Sequence, residues 1–160
     1  MEEITIVTVP PQTVLGIRKK GHYRQIAELL PEIAIYAMEK GIPLTGPPVF
    51  LCHECSKEEA MNADLEGSAD IEVAFPVPPG SRPGPGMTVY TLPGCRMARI
   101  VHLGPYEACE PTYLKLFAWI EDRGMKISGA IREIYHNDPR EVSPDEIKTE
   151  ILAPIMEKDP

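Results

Sequence analysis

The chain repeats itself. Setting Tyr23 against Tyr106 gives an offset of 106 − 23 = 83, and the same offset pairs Pro10 with Pro93, Gly21 with Gly104, Gly41 with Gly124 and Gly46 with Gly129. The order of features matches as well. Each half reads as two strands, a glycine followed by a tyrosine, an amphipathic helix, a glycine stop, and a third and fourth strand. "KKGHYRQIAELLPEIAIYAMEKGIPLTGPPVFLCHE" runs parallel to "VHLGPYEACEPTYLKLFAWIEDRGMKISGAIREIYHND". Fixed-period self-similarity means that each copy is one supersecondary unit, which limits the fold more than composition does.

Within each copy the helix is the clearest element. Leu114, Leu116, Phe117 and Ile120 keep helical spacing, while Lys115, Glu121, Asp122 and Arg123 fall on the wet side and Gly124 supplies a stop. In the first copy Ile26, Leu29, Leu30, Ile33, Tyr36, Ala37 and Met38 do the same up to Gly41, and Pro31 should either kink that helix or mark a later start. "VSPDEI" at 142–147 reads as a short helical turn capped by Ser143. The segments "EITIVTV", "TVLGIRKK", "PVFLCHE", "DIEVAFPV", "TVYTL", "CRMARIVHL", "AIREIYHN" and "IKTEILAPI" alternate or run apolar as strands do. The expected fold is therefore α+β: two duplicated βαββ units with antiparallel sheets and two main helices. A ligand groove is expected at their approximate two-fold interface.

The eighteen prolines are well above the usual share of about 5%, and they concentrate at "PVPPGSRPGPGM", Pro76 to Met87, at mid-chain. This places repeat one at about 1–78, a proline/glycine linker at about 79–86 and repeat two at about 87–160 of a single 160-residue domain. A formal net charge of −8 argues against direct DNA binding, which depends on Lys and Arg neutralising phosphates. No apolar run reaches the ~18 residues a membrane helix needs, and "MEEITIVTVP" lacks the layout of a signal peptide. A cytoplasmic location is expected, with Cys52, Cys55, Cys95 and Cys109 as reduced thiols.

Glu133 is the first residue that could carry chemistry. It interrupts the strand "GAIREIYHNDP", where Ile131, Glu133 and Tyr135 share one face and Arg132, Ile134 and His136 the other. Its counterpart in the first copy is Phe50, because 133 − 83 = 50. A carboxylate beside aromatic rings in a groove attracts cations or acts as a general acid or base. A glutamate facing water on an exposed strand is the plainer reading of the pattern alone.

The aromatic set follows: Tyr23, Tyr36, Tyr106, Tyr113 and Trp119, with Phe50, Phe75 and Phe117. Flat rings wall pockets for planar or cationic ligands, although most rings at helical spacing, Phe117 among them, belong to the core. Trp119 and Tyr36, each near a helix end, are the stronger candidates. "CHEC", Cys52 to Cys55, resembles half of a zinc site, but no second close pair exists, so no metal is expected. Phosphate-loop, dinucleotide, G-x-S-x-G and H-E-x-x-H templates all fail.

The residues "VHLGPYE…YLKLFAWIEDRGMKISGAIREIYHNDP…TEILAPI" resemble the gyrase-inhibitor-like small-molecule-binding family, most strongly over 98–156. That family is similar to the effector-binding domains of bacterial transcription regulators and to the haem-binding SOUL proteins. The resemblance implies a pocket whose key acid is Glu133, in contact with cationic hydrophobic ligands, and aromatics near the helix ends that stack on them. This supports Trp119, Tyr113 and Tyr23, with Tyr135, Tyr36 and Phe50 completing the expected lining. Haem is not expected, since His22, His53, His102 and His136 include no obvious axial pair, and no other cofactor is implied.

Three functions follow from the resemblance. The first is a stand-alone binding module for cationic or amphipathic aromatic molecules, as sensor or sequestering protein. The second is a hydrolase opening the cyclopropane ring of DNA-alkylating toxins, with Glu133 orienting or deprotonating the water and Trp119 with Tyr135 or Tyr23 holding the substrate. The third is a gyrase-inhibitor-type contact with a protein partner through the acidic surface.

Overall fold

A computed structural model describes residues 3–54 and 56–158. Along the chain its elements are β1 (Thr5–Val9), β2 (Gln12–Gly21), α1 (Ile26–Glu39), β3 (Val49–Cys52), α2 (Lys57–Glu66), β4 (Ala69–Pro76), β5 (Thr88–Leu92), β6 (Cys95–Leu103), α3 (Glu110–Asp122), β7 (Met125–Ile127), β8 (Ile131–Tyr135) and β9 (Lys148–Glu157). Short 3-10 turns precede α1 and α3 at Tyr23–Gln25 and Tyr106–Ala108, and a third spans Pro144–Glu146. The fold is α+β with antiparallel strands and duplicated βαββ units, as the repeat implies.

The molecule divides into two compact units: Pro11–Pro93, and Gly94 onward together with the segment before Pro11. In the first, the strands run β3-β4-β2-β5; in the second, β1-β6-β9-β8, with β7 on the end of β9. Consecutive strands are therefore exchanged: β1 pairs with β6 and β5 with β2. The connections explain it. Val9-Pro10-Pro11-Gln12 and Leu92-Pro93-Gly94-Cys95 cannot form the two-residue hairpin turns that need positive φ, since proline fixes φ near −65° and keeps the preceding residue extended.

Each helix lays one stripe on its own sheet. Leu29, Ile33 and Ala37 of α1 are buried, as are Thr112, Leu116 and Ile120 of α3, and these are equivalent one by one under the offset of 83. In the second unit Leu116 and Ile120 join Ala98, Ile100, Met125, Ile151, Ala153 and Ile155 in one core, with Ile4, Tyr113, Trp119 and Ile131 packed at its margin. Each fully buried Leu, Ile or Met among these contributes roughly 1.5–3 kcal/mol on burial. Helix α1 runs unbroken through Pro31, whose side is exposed, so neither a later start nor a break is needed.

Two elements go beyond the sequence reading. Helix α2 is capped by Ser56, whose side chain accepts from the Glu59 N–H at 3.1 Å, and stops at Gly67 with φ 67°. Strand β7 pairs Met125 with Glu157 and Ile127 with Ile155. Ser143 precedes the third 3-10 turn as expected, but its hydroxyl bonds the Glu146 side chain at 2.5 Å and not a backbone N–H. Because the second copy has this short turn where the first has α2, the offset shrinks. Ile17 pairs with Val73 and its equivalent Ile100 with Ile151, so the fourth strands are related by 151 − 73 = 78.

Candidate functional site

Strand β8 is covered on both faces. Glu133 pairs with Ile151 and Tyr135 with Thr149 on β9, and Ile151 lies in the core beneath α3, so the Ile131-Glu133-Tyr135 face turns toward the helix. Arg132, on the opposite face, is 4% exposed. Glu133 is thus a half-buried acid on the inner side of the sheet and not a solvent-facing charge.

Its carboxylate is held by two phenols. Tyr113, on the first turn of α3, donates to Oε2, and Tyr135 donates to Oε1 at 2.9 Å. Tyr106 meets the Tyr135 ring edge-on, with centroids 5.4 Å apart. Burial pushes the Tyr135 hydroxyl well above its ordinary value, and the Glu133 charge adds to this, so the phenol remains a donor through the neutral range. Burial also raises Tyr106, helped by Asp138 and Glu133. The start of α3 is fixed from below by the buried His102, whose Nε2 donates to the Pro105 carbonyl at 2.9 Å while Nδ1 pairs with the Thr112 hydroxyl at 2.8 Å.

The first copy shows that the scaffold does not require this polarity. Under the offset of 83, Glu133, Tyr113, Tyr135, Thr112 and His102 correspond to Phe50, Leu30, Cys52, Leu29 and Lys19. Under the offset of 78 that holds for the last strand, Thr149 corresponds to Ile71. One copy carries mostly apolar side chains where the other carries a hydrogen-bonded network around a carboxylate, and buried polar networks are costly to satisfy. By contrast, His53–Glu72 (2.6 Å) and His136–Glu150 (2.8 Å) occupy equivalent places and recur in both copies, so they belong to the shared scaffold.

The remaining candidates make contacts of their own. Trp119 packs at the core margin, and the Arg123 guanidinium sits 4.1 Å from its ring centroid, covering one face. Phe50 is 5% exposed and meets Tyr23 edge-on at 6.2 Å, while Tyr23 donates to the Glu54 carboxylate. Tyr36 donates to the Arg82 carbonyl at 3.0 Å, and its ring lies so close to Gly84 that a Cβ there would approach it to 2.6 Å, so it fastens α1 to the linker. Cys55 falls outside the described residues; Cys52 and Cys95 are half-buried and Cys109 is buried. Among the described residues no group of three or more His, Cys, Asp or Glu could hold a metal. No helix there is long and apolar enough to cross a membrane.

The sequence reading names Tyr106 among the candidate aromatics but not in the expected lining, weighs His102 only as a haem ligand, and does not single out Thr149. Tyr106 carries a signal in the glycine-then-tyrosine motif and His102 differs from Lys19 under the offset of 83; Thr149 becomes visible only when the copies are compared in structural register.

The fold has close counterparts. The C-terminal domain of EcmrR superimposes with a TM-score of 0.84 at 21% identity over 99% of both chains. In the EcmrR–DNA complex the same match covers 98% of this chain but 58% of that one, so the chain spans little more than half the regulator. A hydrolase from Listeria innocua matches with a TM-score of 0.64 at 18% identity, covering 96% of this chain and 92% of that one. SAV2435 bound to tetraphenylphosphonium matches with a TM-score of 0.59 at 15% identity, covering 96% and 94%. Among curated proteins, none matches the sequence. The family model of the GyrI-like small molecule binding domain, in contrast, matches residues 2–156. The chain belongs to the GyrI-like small-molecule-binding family.

Proposed function

We propose that this protein binds cationic aromatic small molecules at Glu133, as a sensor or sequestering protein. The observation that carries the reading is the Glu133 carboxylate, half-buried, held by the Tyr113 and Tyr135 phenols, and present in one copy of the scaffold only. A cation approaching the carboxylate gains Coulomb energy that bulk water would screen away, about 4 kcal/mol at 4 Å for an effective dielectric near 20. The phenols keep the carboxylate oriented before the ligand arrives, and Tyr106 and Tyr135 offer aromatic faces and edges to it. SAV2435, which shares the fold, has a structure bound to tetraphenylphosphonium, a cation enclosed by phenyl rings.

Calorimetric titration with tetraphenylphosphonium tests this. The wild type should bind, and Glu133→Gln, which keeps the shape and removes the charge, should weaken binding tenfold or more, about 1.4 kcal/mol. A wild type that does not bind, or a variant that binds equally well, refutes it.

A second reading, hydrolysis of cyclopropane-bearing alkylating compounds, is favoured by the two phenol donors beside one carboxylate and by the Listeria hydrolase of the same fold. Here Glu133 takes a proton from water, the water oxygen bonds to a ring carbon, and the breaking carbon–carbon bond sends its electron pair into the substrate's conjugated system. Loss of product formation in Glu133→Gln with affinity kept would select this reading over simple binding.

A further inference from the structure

Thr149 stands on β9 between His102 of β6 and Tyr135 of β8, on the face that carries Glu133. It is 0% exposed, and its Oγ1 has no hydrogen-bond partner among the described residues. Both neighbouring polar groups are spoken for. His102 uses its two nitrogens on Thr112 and Pro105, and Tyr135 gives its hydroxyl to Glu133. An unpaired buried hydroxyl opposes folding. Strand propensity does not explain it, because Ile71, in the equivalent place, is fully buried and serves the same sheet with no polar atom.

We infer that the Thr149 hydroxyl is a specificity-determining contact of the Glu133 site, and that the site selects cationic aromatics carrying a second, hydrogen-bonding substituent. The inference rests on the binding function proposed above. Tyr135 is held in place by its bond to Glu133 Oε1. A ligand cation that takes this oxygen releases the phenol, whose ring turns and opens Thr149 to the substituent. Charge at Glu133 then supplies attraction to any cation, and Thr149 discriminates among them. Such discrimination follows because a ligand that reaches the hydroxyl pairs a group otherwise left unpaired, a gain that other ligands forgo.

The test uses Thr149→Val, which keeps the branched shape and removes the hydroxyl, and Thr149→Ser, which keeps it. The probes are ethidium and the phenanthridinium that lacks its two ring amino groups. Wild type and Thr149→Ser should prefer ethidium by about tenfold, 1.4 kcal/mol, and Thr149→Val should bind the two alike. Thr149→Val should also melt above the wild type in the absence of ligand. Equal preference in all three proteins, or a lower melting temperature for Thr149→Val, overturns the inference. A wild type that binds tetraphenylphosphonium but neither phenanthridinium overturns it while leaving the Glu133 reading intact. A wild type that binds none of the three overturns both.

Discussion

Gly16 lies on the central strand β2, opposite Ala74 on one side and Thr88 on the other. A Cβ there would come within 2.8 Å of the Tyr90 hydroxyl and 2.8 Å of the Val73 carbonyl oxygen. The glycine gives the Tyr90 phenol its path to Glu72, a 6% exposed carboxylate whose Oε2 accepts the phenol at 2.6 Å while Oε1 meets His53. Replacing Gly16 by Ala forces two adjustments. The Val73 carbonyl belongs to the ladder and yields only at an overpacking cost of about 1–3 kcal/mol. Moving Tyr90 forfeits a hydrogen bond to a charged group, worth roughly 1.5–3 kcal/mol, against a gain of about 0.4–1 kcal/mol from a stiffer unfolded chain. The net loss should be about 2–5 kcal/mol, read by urea denaturation and as a melting point lower by roughly 5–15 °C. A double-mutant cycle separates the causes. In a Tyr90→Phe background the phenol oxygen is gone, so Gly16→Ala should cost about 1–2 kcal/mol less while the clash with the Val73 carbonyl persists. A loss under about 0.5 kcal/mol, or equal losses in the two backgrounds, would show that Gly16 does not hold the Tyr90–Glu72 contact open.

Two further outcomes are expected. Burial raises the Glu150 carboxyl, but the bonds from Arg99 and His136 outweigh it and hold the group below its ordinary value. Its stabilisation is therefore complete at neutral pH and fades as pH falls through the lower carboxylate range. Arg99→Gln should cost about 1 kcal/mol at about pH 7 and progressively less as pH falls below the ordinary carboxylate range, by chemical denaturation, and a pH-independent cost would contradict this. Ser56→Ala removes the cap of α2 and should lower stability by about 1 kcal/mol, with Ser56→Thr close to wild type in the same urea titration.

The repeat, the two long helices and the alternation that places Glu133 beside Tyr135 were legible because each rests on local spacing. Helix α2 escaped because none of its residues is buried, so it has no apolar period. Only Ser56, Glu59 and Gly67 mark its ends. Strand β7 is three residues long and exists through pairing with the far end of β9, which no local pattern reports. That Arg123, one helical turn on, turns its guanidinium over one face of Trp119 is a contact the spacing of the two residues does not report. Thr149 stayed hidden for a geometric reason: the five-residue difference between the offsets of 83 and 78 lies upstream of β9, so comparison by the first offset sets Thr149 against the wrong residue.

The exchange of β1 and β5 has a consequence for how the chain can be divided. A cut between Ser81 and Gly84 would leave two fragments, each containing a strand that completes the sheet built mainly by the other: β1 of the first fragment lies beside β6, and β5 of the second lies beside β2. The first of these fragments carries away the edge strand of the site-bearing unit, and so neither piece should hold its structure alone. Mixed, they should reassemble through backbone pairing, which makes this chain a candidate for fragment complementation in which recovery of the binding proposed at Glu133 reports that the two pieces have met.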